Sequence, residues 1–425
     1  MNIWRPYTQM QLSTGTEFVE HAQGSYLHLR NGRKILDGIS SWWLITHGHC
    51  HPEVSRAIAT QSQHLDQVVF ANFTHEPAQE LVEELKSLLP PTLNTIFFSD
   101  NGSTAVEVAM KMAYQYCQLR GHVSKRVFCA FSESYHGDTV GAMSVTGDGL
   151  FTNPYPDLRL RVIRCSQGAI STDPVETWIA NLREQLEKNH EKIAAVILEP
   201  RIQGAGGMIV WPEEAVRKIL SICRAHDVLV IFDEVMTGFG RTGKLFAFEH
   251  TLPELPDFVC LSKGLTAGSL PLAVTLTHQK IYDAFLSDDI SKTFFHGHSF
   301  TANSISCAAA AASLRIFRTE PVLMRVKQIE DAHRSAISKI QKRFELRDSR
   351  VCGSIGAIEL NTDFGRDTKY ASGENRLFFN RCLERGLFLR PLGRVIYLMP
   401  PYSTNAAEVT WAWETIETCL DLSND

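Results

Sequence analysis

The sequence lacks the features that mark membrane and secreted proteins. Its longest nearly continuous apolar run, residues 307–314, is interrupted by Ser313 and is too short for a membrane span. The first residues contain no basic segment followed by an apolar one, so we expect no signal peptide. The 10 cysteines are scattered and never form a Cys-x-x-Cys pair. Scattered thiols favour a reducing compartment, which predicts a cytoplasmic protein.

The chain also lacks a basic excess and any long run of like charges. It has 42 basic and 47 acidic residues, a net charge of -5, which argues against a nucleic-acid or anionic-membrane partner. The composition, 44% hydrophobic and 21% charged, is that of a globular protein. A chain of 425 residues can bury a sizeable core.

From about residue 75 the chain alternates strand and helix patterns, which predicts an α/β fold with a mostly parallel sheet. We expect a helix over 105–118, with Thr104 and Glu107 as its capping box. After about residue 316 the pattern becomes α+β. We therefore expect a large domain at 50–315 and a small domain built from 1–49 and 316–425. The predicted strands are 95–99, 126–131, 161–165, 193–198, 228–232, 257–261, 272–276, 354–360 and 394–399.

The segment 228–244 combines a buried strand with a Gly-x-Gly-x-x-Gly match at Gly238, Gly240 and Gly243. A dinucleotide fingerprint needs its glycines directly at a strand-to-helix turn. Here residues 234–237 intervene after Asp233, and no helix pattern follows. The glycines therefore favour a surface loop over a nicotinamide dehydrogenase.

A carboxylate and a lysine follow two successive predicted strands. Asp233 ends one strand and Lys263 follows the next, and parallel sheets bind ligands beyond the carboxyl ends of their strands. Pyridoxal phosphate requires this pair, because lysine forms a Schiff base with its aldehyde and aspartate holds its pyridine nitrogen protonated. Taken singly, each residue is more simply a turn former or a solvated side chain.

Two further segments strengthen this interpretation. A strand runs into Gly102 and Ser103 at the start of a helix, where backbone amides can bind the cofactor phosphate. Tyr135 follows another predicted strand and can stack on a planar ring. A plain helix cap is the alternative for the first segment.

Together these motifs resemble those of the class III pyridoxal-phosphate aminotransferases, and the stretch 233–243 is especially characteristic. The resemblance covers essentially the whole chain. It implies the type I aminotransferase fold, pyridoxal 5'-phosphate as cofactor, and a homodimer with shared active sites. The matching segments are Asn101-Gly102-Ser103, Tyr135-His136-Gly137-Asp138, Glu199-Pro200, Asp233-Glu234 and Ser262-Lys263-Gly264.

Residues 4–10, 37–43 and 389–402 resemble the members of that family that act in biotin synthesis. The resemblance implies 8-amino-7-oxononanoate as amino acceptor and S-adenosylmethionine as the usual donor. Tyr7, Trp42 and Trp43 can wall the apolar chain of the acceptor, and Arg390 can bind its carboxylate. The aromatic wall can also hold a sulfonium by cation–π contact. The alternatives are core packing, for Trp43 more than for Trp42, and a structural ion pair for Arg390.

The implied reaction is ping-pong, with Lys263, Asp233 and Tyr7 as catalytic residues and Lys263 moving the proton. Another class III ω-aminotransferase, acting on a diamine or an ω-amino acid, is the alternative enzyme. An inactive cofactor-binding homologue is less consistent with an intact Lys263 and Asp233.

The segment 296–303 departs from the usual biotin-pathway pattern, in which Pro and Thr follow His-Gly. Here His298 and Ser299 follow Gly297, and lysine is therefore an alternative donor. Ser299 keeps a hydroxyl that can reach the phosphate of the neighbouring subunit's cofactor. The histidine-rich segment 47–52 resembles a metal site, but we assign no metal to it.

Overall fold

The computed structural model describes residues 3–12, 16–168, 173–361 and 373–421. All nine predicted strands are present, with ends displaced by at most one residue. The strands are β1 (Val19–Gln23), β2 (Tyr26–Leu29), β3 (Lys34–Asp37), β4 (Thr95–Ser99), β5 (Val127–Phe131), β6 (Val162–Cys165), β7 (Ile193–Leu198), β8 (Ile202–Gln203), β9 (Ile209–Val210), β10 (Leu229–Asp233), β11 (Phe258–Leu261), β12 (Ala273–Thr277), β13 (Leu346–Cys352), β14 (Ile355–Leu360), β15 (Leu387–Phe388) and β16 (Val395–Leu398).

The helices alternate with these strands through the middle of the chain. They are α1 (Pro52–Gln61), α2 (Glu76–Leu88), α3 (Gly102–Leu119), α4 (Val140–Val145), α5 (Val175–Asn189), α6 (Glu213–Ala225), α7 (Gln279–Asp283), α8 (Ser304–Thr319), α9 (Val322–Ile340), α10 (Gly373–Glu384) and α11 (Ala406–Asp421). The described helices include none that is long and apolar enough to cross a membrane.

The central sheet has seven strands in the order β4-β12-β11-β10-β7-β5-β6. Only β12 runs antiparallel to its neighbours, so the sheet is mostly parallel, as predicted. The last residue of the middle strand, β10, is Asp233. The carboxyl ends of the six parallel strands, β10 among them, meet at one edge, where a ligand site is expected.

Both faces of this sheet are apolar and covered by helices. On β10, Val230 and Phe232 belong to the core under α2, α5, α6 and α8, whereas Ile231 belongs to the core under α3 and α4. Burying one side chain of this size stabilises the fold by about 1.5–3 kcal/mol. This two-sided burial explains why the parallel strands are continuous apolar runs in the sequence.

The two ends of the chain share a second sheet, in the order β1-β2-β3-β15. In it, Leu36 and Asp37 pair with Leu387 and Phe388 in a parallel register. A third, antiparallel sheet has the order β13-β14-β16. The small domain built from both termini, with boundaries at 50 and 315, stays a prediction, and parts of it (1–2, 13–15, 362–372 and 422–425) lie outside the described residues.

The predicted capping box at Thr104 and Glu107 is wrong. Helix α3 begins three residues earlier than expected, and Asn101 is its N-cap, accepting a hydrogen bond from the Thr104 amide at 3.0 Å. The Thr104 hydroxyl in turn accepts a hydrogen bond from the Asn101 amide at 3.1 Å, which completes a capping box. Glu107 instead accepts from the Thr139 hydroxyl and the Gly141 amide, at the start of α4. Asn101, which has an extended backbone and precedes Gly-Ser-Thr, is a stronger N-cap than the predicted Thr104.

Candidate active site

A cavity of about 410 Å³ opens at the carboxyl edge of the central sheet. Its walls come from the segments that follow β4, β5, β7, β10 and β11, from the residues just before β12, and from the turn that contains Trp43. The lining residues are Trp43, Leu44, Asp100, Asn101, Gly102, Ser103, Tyr135, His136, Gly137, Glu199, Asp233, Val235, Met236, Ser262, Lys263, Gly268, Ser269, Leu270, Pro271 and Leu272.

Asp233 lies at the base of this cavity with only 4% of its surface exposed. One carboxylate oxygen is 2.7 Å from Nδ1 of His136, and the other accepts a hydrogen bond from the Val235 amide at 3.1 Å. These contacts fix the plane of the carboxylate. The Nε2 atom of His136 is buried and has no hydrogen-bond partner among the described residues. Asp233 is therefore oriented by groups on two different loops.

Lys263 begins a short 3-10 helix, Lys263–Thr266, directly after β11. Its backbone lies in the left-handed region, with φ of 41°, a strain that is tolerated mainly at functional sites. Burial lowers the pKa of Lys263 to about 8, although the charges of Asp233 and Glu199 oppose the decrease. The amine is therefore easier to deprotonate than an exposed lysine, as a nucleophile or proton carrier must be.

The start of α3 forms another wall of the cavity. Gly102 packs so closely on Val235 that a β-carbon added there would lie 2.6 Å from a Val235 methyl group. A β-carbon added at Gly137, which has φ of 122°, would lie closer still to Ser103, whose hydroxyl accepts from the Asp138 amide at 3.0 Å. The two glycines keep the helix N-terminus open toward the cavity, where backbone amides attract an anion.

Tyr135 and Tyr7 meet at the mouth of the cavity. The amide of Tyr135 donates to Glu199 at 3.0 Å, which fixes the loop after β5. The hydroxyl groups of Tyr135 and Tyr7 are 3.1 Å apart, and the Tyr7 hydroxyl donates to the carboxylate of Asp138. Burial, together with the bond to Tyr7, raises the pKa of Tyr135 well above its ordinary value. The Tyr135 phenol therefore stays protonated at neutral pH within this network.

The two tryptophans have different surroundings. They belong to a turn in which Ser40, Ser41, Trp42 and Trp43 all have positive φ, from 46° to 79°. Asp37 stabilises the turn by accepting bonds from the Ser41 amide and hydroxyl, at 2.9 and 2.7 Å. Such a left-handed run costs energy in L-residues, and a strained turn of this kind commonly presents functional side chains.

Trp43 points inward and Trp42 points toward the N-terminal segment. Trp43 is 5% exposed, donates from its indole to the Tyr397 hydroxyl at 3.0 Å, and has its ring centroid 4.9 Å from Nζ of Lys263. Trp42 is half-buried, 5.2 Å from the Tyr7 ring and 4.6 Å from the Arg390 guanidinium. The core tryptophan thus also lines the cavity, and the other one joins Tyr7 to Arg390.

Gly297, His298 and Ser299 do not line the cavity of their own chain. They lie on an exposed loop whose backbone is held by Thr301, which bonds the amide and carbonyl of His298. His298 and Ser299, predicted to bind the cofactor, and Gly297, predicted to bind the substrate, are thus residues that the fold of one chain does not bring to the site.

Three residues of the site, Glu199, His136 and Asp138, lie in segments that carry the family resemblance but were given no role from the sequence. Glu199 is buried, accepts from the amides of Tyr135 and Gly204, and has its pKa raised to about 7 by burial. Each of the three follows the end of a parallel strand, so the rule that identified Asp233 could also have found them.

The histidines of the segment 47–52 have three separate partners. His47 contacts the Ser313 carbonyl, His49 contacts Asp37, and His51 contacts Glu320. Within the described ranges there is no cluster of three potential metal ligands. These histidines join neighbouring elements of the fold.

The cavity fits pyridoxal phosphate. It combines an open helix N-terminus for a phosphate, a carboxylate at its base for a ring nitrogen, a lysine with a lowered pKa, and an aromatic ring at its mouth. Gly102, Ser103, Tyr135, Asp233 and Lys263 are the residues that would hold the cofactor. The carboxylate and the lysine lie at the ends of β10 and β11, which are adjacent and parallel.

Comparisons with known proteins give a consistent result. Residues 9–420 match the model of the family described as aminotransferase class-III. The adenosylmethionine-8-amino-7-oxononanoate aminotransferases of Synechococcus elongatus and Geobacter sulfurreducens are 41% and 38% identical to the chain. These matches cover 99% and 98% of this chain, and 98% and 95% of the relatives.

Solved structures resemble the whole chain as well. The crystal structure of adenosylmethionine-8-amino-7-oxononanoate aminotransferase from Methanocaldococcus jannaschii has a TM-score of 0.92 at 35% identity, covering 99% of this chain and 97% of that one. An amine transaminase from an uncultivated Pseudomonas species, in a PLP-bound form, has a TM-score of 0.93 at 28% identity. That match covers 99% of both chains.

Proposed function

Because the chain belongs to the class III aminotransferases, we propose that it transfers an amino group from S-adenosylmethionine to 8-amino-7-oxononanoate in biotin synthesis. The chain is a pyridoxal-phosphate-dependent aminotransferase with the predicted type I aminotransferase fold. The observation that carries the acceptor assignment is the continuous aromatic surface from Tyr7 through Trp42 to the Arg390 guanidinium, beside a cavity that contains Lys263.

The shape of this surface matches the chemistry of the acceptor, a long methylene chain that ends in a carboxylate. Tyr7 and Trp42 offer apolar faces to the chain, and Arg390 offers the planar guanidinium that binds carboxylates with two hydrogen bonds. The Nη2 atom of Arg390 also donates to the Tyr7 carbonyl at 3.3 Å, which holds the guanidinium next to the aromatic rings.

Asp233 and Lys263 have different roles in the proposed reaction. When bound, pyridoxal phosphate supplies an electron sink for the transferred amino group. Asp233, oriented by His136 and the Val235 amide, holds a proton on the ring nitrogen. Lys263 moves a proton at the reacting carbon, as its lowered pKa permits. Donor and acceptor share the one cavity, so we propose that the keto product of the donor leaves before the acceptor enters.

The amino donor is tested by the visible spectrum of the holoenzyme. S-Adenosylmethionine carries a fixed positive charge that the aromatic surface can hold, and lysine is the alternative donor suggested by Gly297-His298-Ser299. We expect the visible absorption of the bound cofactor to change when S-adenosylmethionine is added without acceptor, and to stay unchanged with lysine. A change with lysine alone would assign the donor role to lysine, and a holoenzyme without visible absorption would contradict an aminotransferase.

Arg390→Ala is expected to lower kcat/KM for 8-amino-7-oxononanoate by about 10–100-fold, because it removes a charge-assisted bond of about 1.5–3 kcal/mol. The measurement compares the acceptor with its methyl ester, which has no carboxylate. Wild type should prefer the acid, and the variant should accept both equally. Arg385→Ala, which changes an exposed arginine that does not line the cavity, is the matched control. A preference for the acid that persists in Arg390→Ala would reject this role.

We also propose a homodimer in which each subunit completes the other's active site. The loop with Gly297, His298 and Ser299 does not line the cavity of its own chain, and Phe295 and Phe300 near it are exposed, as expected of an interaction surface. Sedimentation as a single chain would contradict a dimer.

The proposal of a cytoplasmic protein is supported by the cysteines. Among the described residues none of them forms a disulfide, and all except Cys50 are buried.

A further inference from the structure

We propose that Phe151 is a positioning residue, which holds Tyr7 of the N-terminal segment against Tyr135 and thereby completes the apolar wall for the acceptor chain. The part that concerns the acceptor rests on the proposed function. The part that concerns the N-terminal segment does not. Phe151 belongs to none of the motifs by which the active site was predicted.

The ring of Phe151 touches both tyrosines of the cavity mouth. Its centroid is 5.7 Å from the Tyr7 ring at an interplanar angle of 89°, and 5.3 Å from the Tyr135 ring at 61°. Both are edge-to-face contacts, the arrangement that aromatic pairs prefer. Tyr7 also packs edge-on against Trp42 at 5.2 Å. Four rings thus form one continuous surface, with Phe151 between the two tyrosines.

The loop that carries Phe151 is held by hydrogen bonds and ion pairs of its own residues. The next residue, Thr152, is fully buried, and its hydroxyl donates to the Gly147 carbonyl and accepts from the Gly149 amide at 3.0 Å. Asp148 forms ion pairs with Arg159 and Arg164, whose guanidinium groups also donate to the carbonyls of Thr146 and Ser144. The position of the Phe151 ring is therefore set by its own loop, independently of Tyr7.

The N-terminal segment, in contrast, leaves much of its apolar surface exposed, and Tyr7 makes its contacts with the rings of the cavity mouth. Ile3 and Trp4 are 78% and 88% exposed, and Leu12 is also exposed. Tyr7 has a left-handed backbone, with φ of 50°, which turns its ring inward to Phe151, Tyr135 and Trp42. A fixed ring that receives a side chain of a loosely packed segment is the arrangement expected of a docking contact.

Phe151 has no polar atom to bind or transfer, so its contribution is apolar surface and ring contact. Its removal should let Tyr7 leave Tyr135 and open the wall along which the methylene chain lies. Lys263 and Asp233 lie at the base of the cavity and are not in contact with Phe151, and Tyr7, which is in contact, contributes here to the wall for the acceptor and not to the proton transfer. The expected signature is a change in KM for the acceptor with little change in kcat.

The test uses the holoenzyme and three variants: Phe151→Ala, Phe151→Tyr, which keeps the ring, and Leu150→Ala, which removes an exposed side chain of the same loop. Hydrogen exchange of the amides in residues 3–12 is measured first. We expect it to be several-fold faster in Phe151→Ala and unchanged in the two other variants. Equal exchange in all three would overturn the positioning role, whichever acceptor the enzyme uses. If Phe151→Ala does not fold, Phe151→Leu carries the same test, since it keeps apolar volume without the ring.

The kinetic measurement then tests whether Phe151 contributes to the apolar wall for the acceptor chain. KM for 8-amino-7-oxononanoate should rise about tenfold in Phe151→Ala, the effect of losing two edge-to-face contacts, with kcat within about twofold of wild type. Phe151→Tyr should restore KM. Faster exchange with an unchanged KM would overturn the role in the wall. A wild type that does not aminate this acceptor at all would reject the proposed function, while the exchange result would still decide the role of Phe151.

Discussion

Replacing Lys263 with alanine is expected to lower the rate of amino transfer by about 10²–10⁴-fold or more, the range attributed to a positioned acid–base group. Lys263 is the lysine of the cavity, and its pKa of about 8 lets it act as a base near neutral pH. The measurement is the single-turnover rate of the donor half-reaction with S-adenosylmethionine, followed by the visible absorption of the cofactor. The variant should still bind the cofactor through the helix N-terminus and Asp233.

Lys244→Ala is the matched control, because Lys244 is an exposed lysine of the glycine-rich loop. Its rate should equal that of wild type.

The pKa of Lys263 also predicts a pH dependence of cofactor binding. Below pH 8 the amine is mostly protonated and cannot attack an aldehyde, so uptake of cofactor by the apoenzyme should become faster as the pH rises through about 8. A Lys263→Ala variant with wild-type rates would remove this residue from the mechanism.

The second large effect is expected from Asp233→Asn. Asparagine keeps the size of the side chain and can still accept from the Val235 amide, but it has no negative charge to hold a proton on the ring nitrogen. We expect kcat to decrease by about 10²–10³-fold, as for the loss of another preorganised electrostatic group. The bond to His136 should change as well, which the imidazole resonances would report in a nitrogen NMR spectrum.

Glu234→Gln is the control for Asp233→Asn, since the two carboxylates are neighbours at the same strand end. Glu234 accepts from the amides of Ala247 and Phe248, at 2.6 and 2.7 Å, and does not line the cavity. Burial raises its pKa to about 8, so an amide is a close substitute for the acid. This variant should lose some stability and keep its kcat. Equal losses of kcat in both variants would show that the decrease comes from disturbing the strand end and not from removing the charge of Asp233.

The parts of the fold that follow from local pattern were predictable. A strand buried on both faces must be apolar throughout, and this made β5, β7, β10 and β11 visible in the sequence. Because parallel strands end at one edge, the positions of Asp233 and Lys263 in the sequence were sufficient to place them together. Their adjacency in space follows from the pairing of β10 with β11.

Features that depend on distant contacts were not predictable. Strand β1 (Val19–Gln23) is mostly exposed and shows no alternation, so its place in a sheet with β15 is visible only in three dimensions. The left-handed turn at Ser40–Trp43 contains no glycine to indicate it and depends on Asp37. The contact of Phe151 with Tyr7 joins segments 144 positions apart, counted as 151 − 7, and no local pattern encodes it.

The most direct test of the proposed function is mass-spectrometric analysis of the product. The holoenzyme is incubated with 8-amino-7-oxononanoate and S-adenosylmethionine labelled with ¹⁵N at its amino group. Transfer to this acceptor predicts 7,8-diaminononanoate that carries one ¹⁵N atom and appears only when both substrates are present. Label that remains in the donor, while the enzyme aminates a short diamine or ω-amino acid precursor instead, would contradict the assignment and favour another class III aminotransferase.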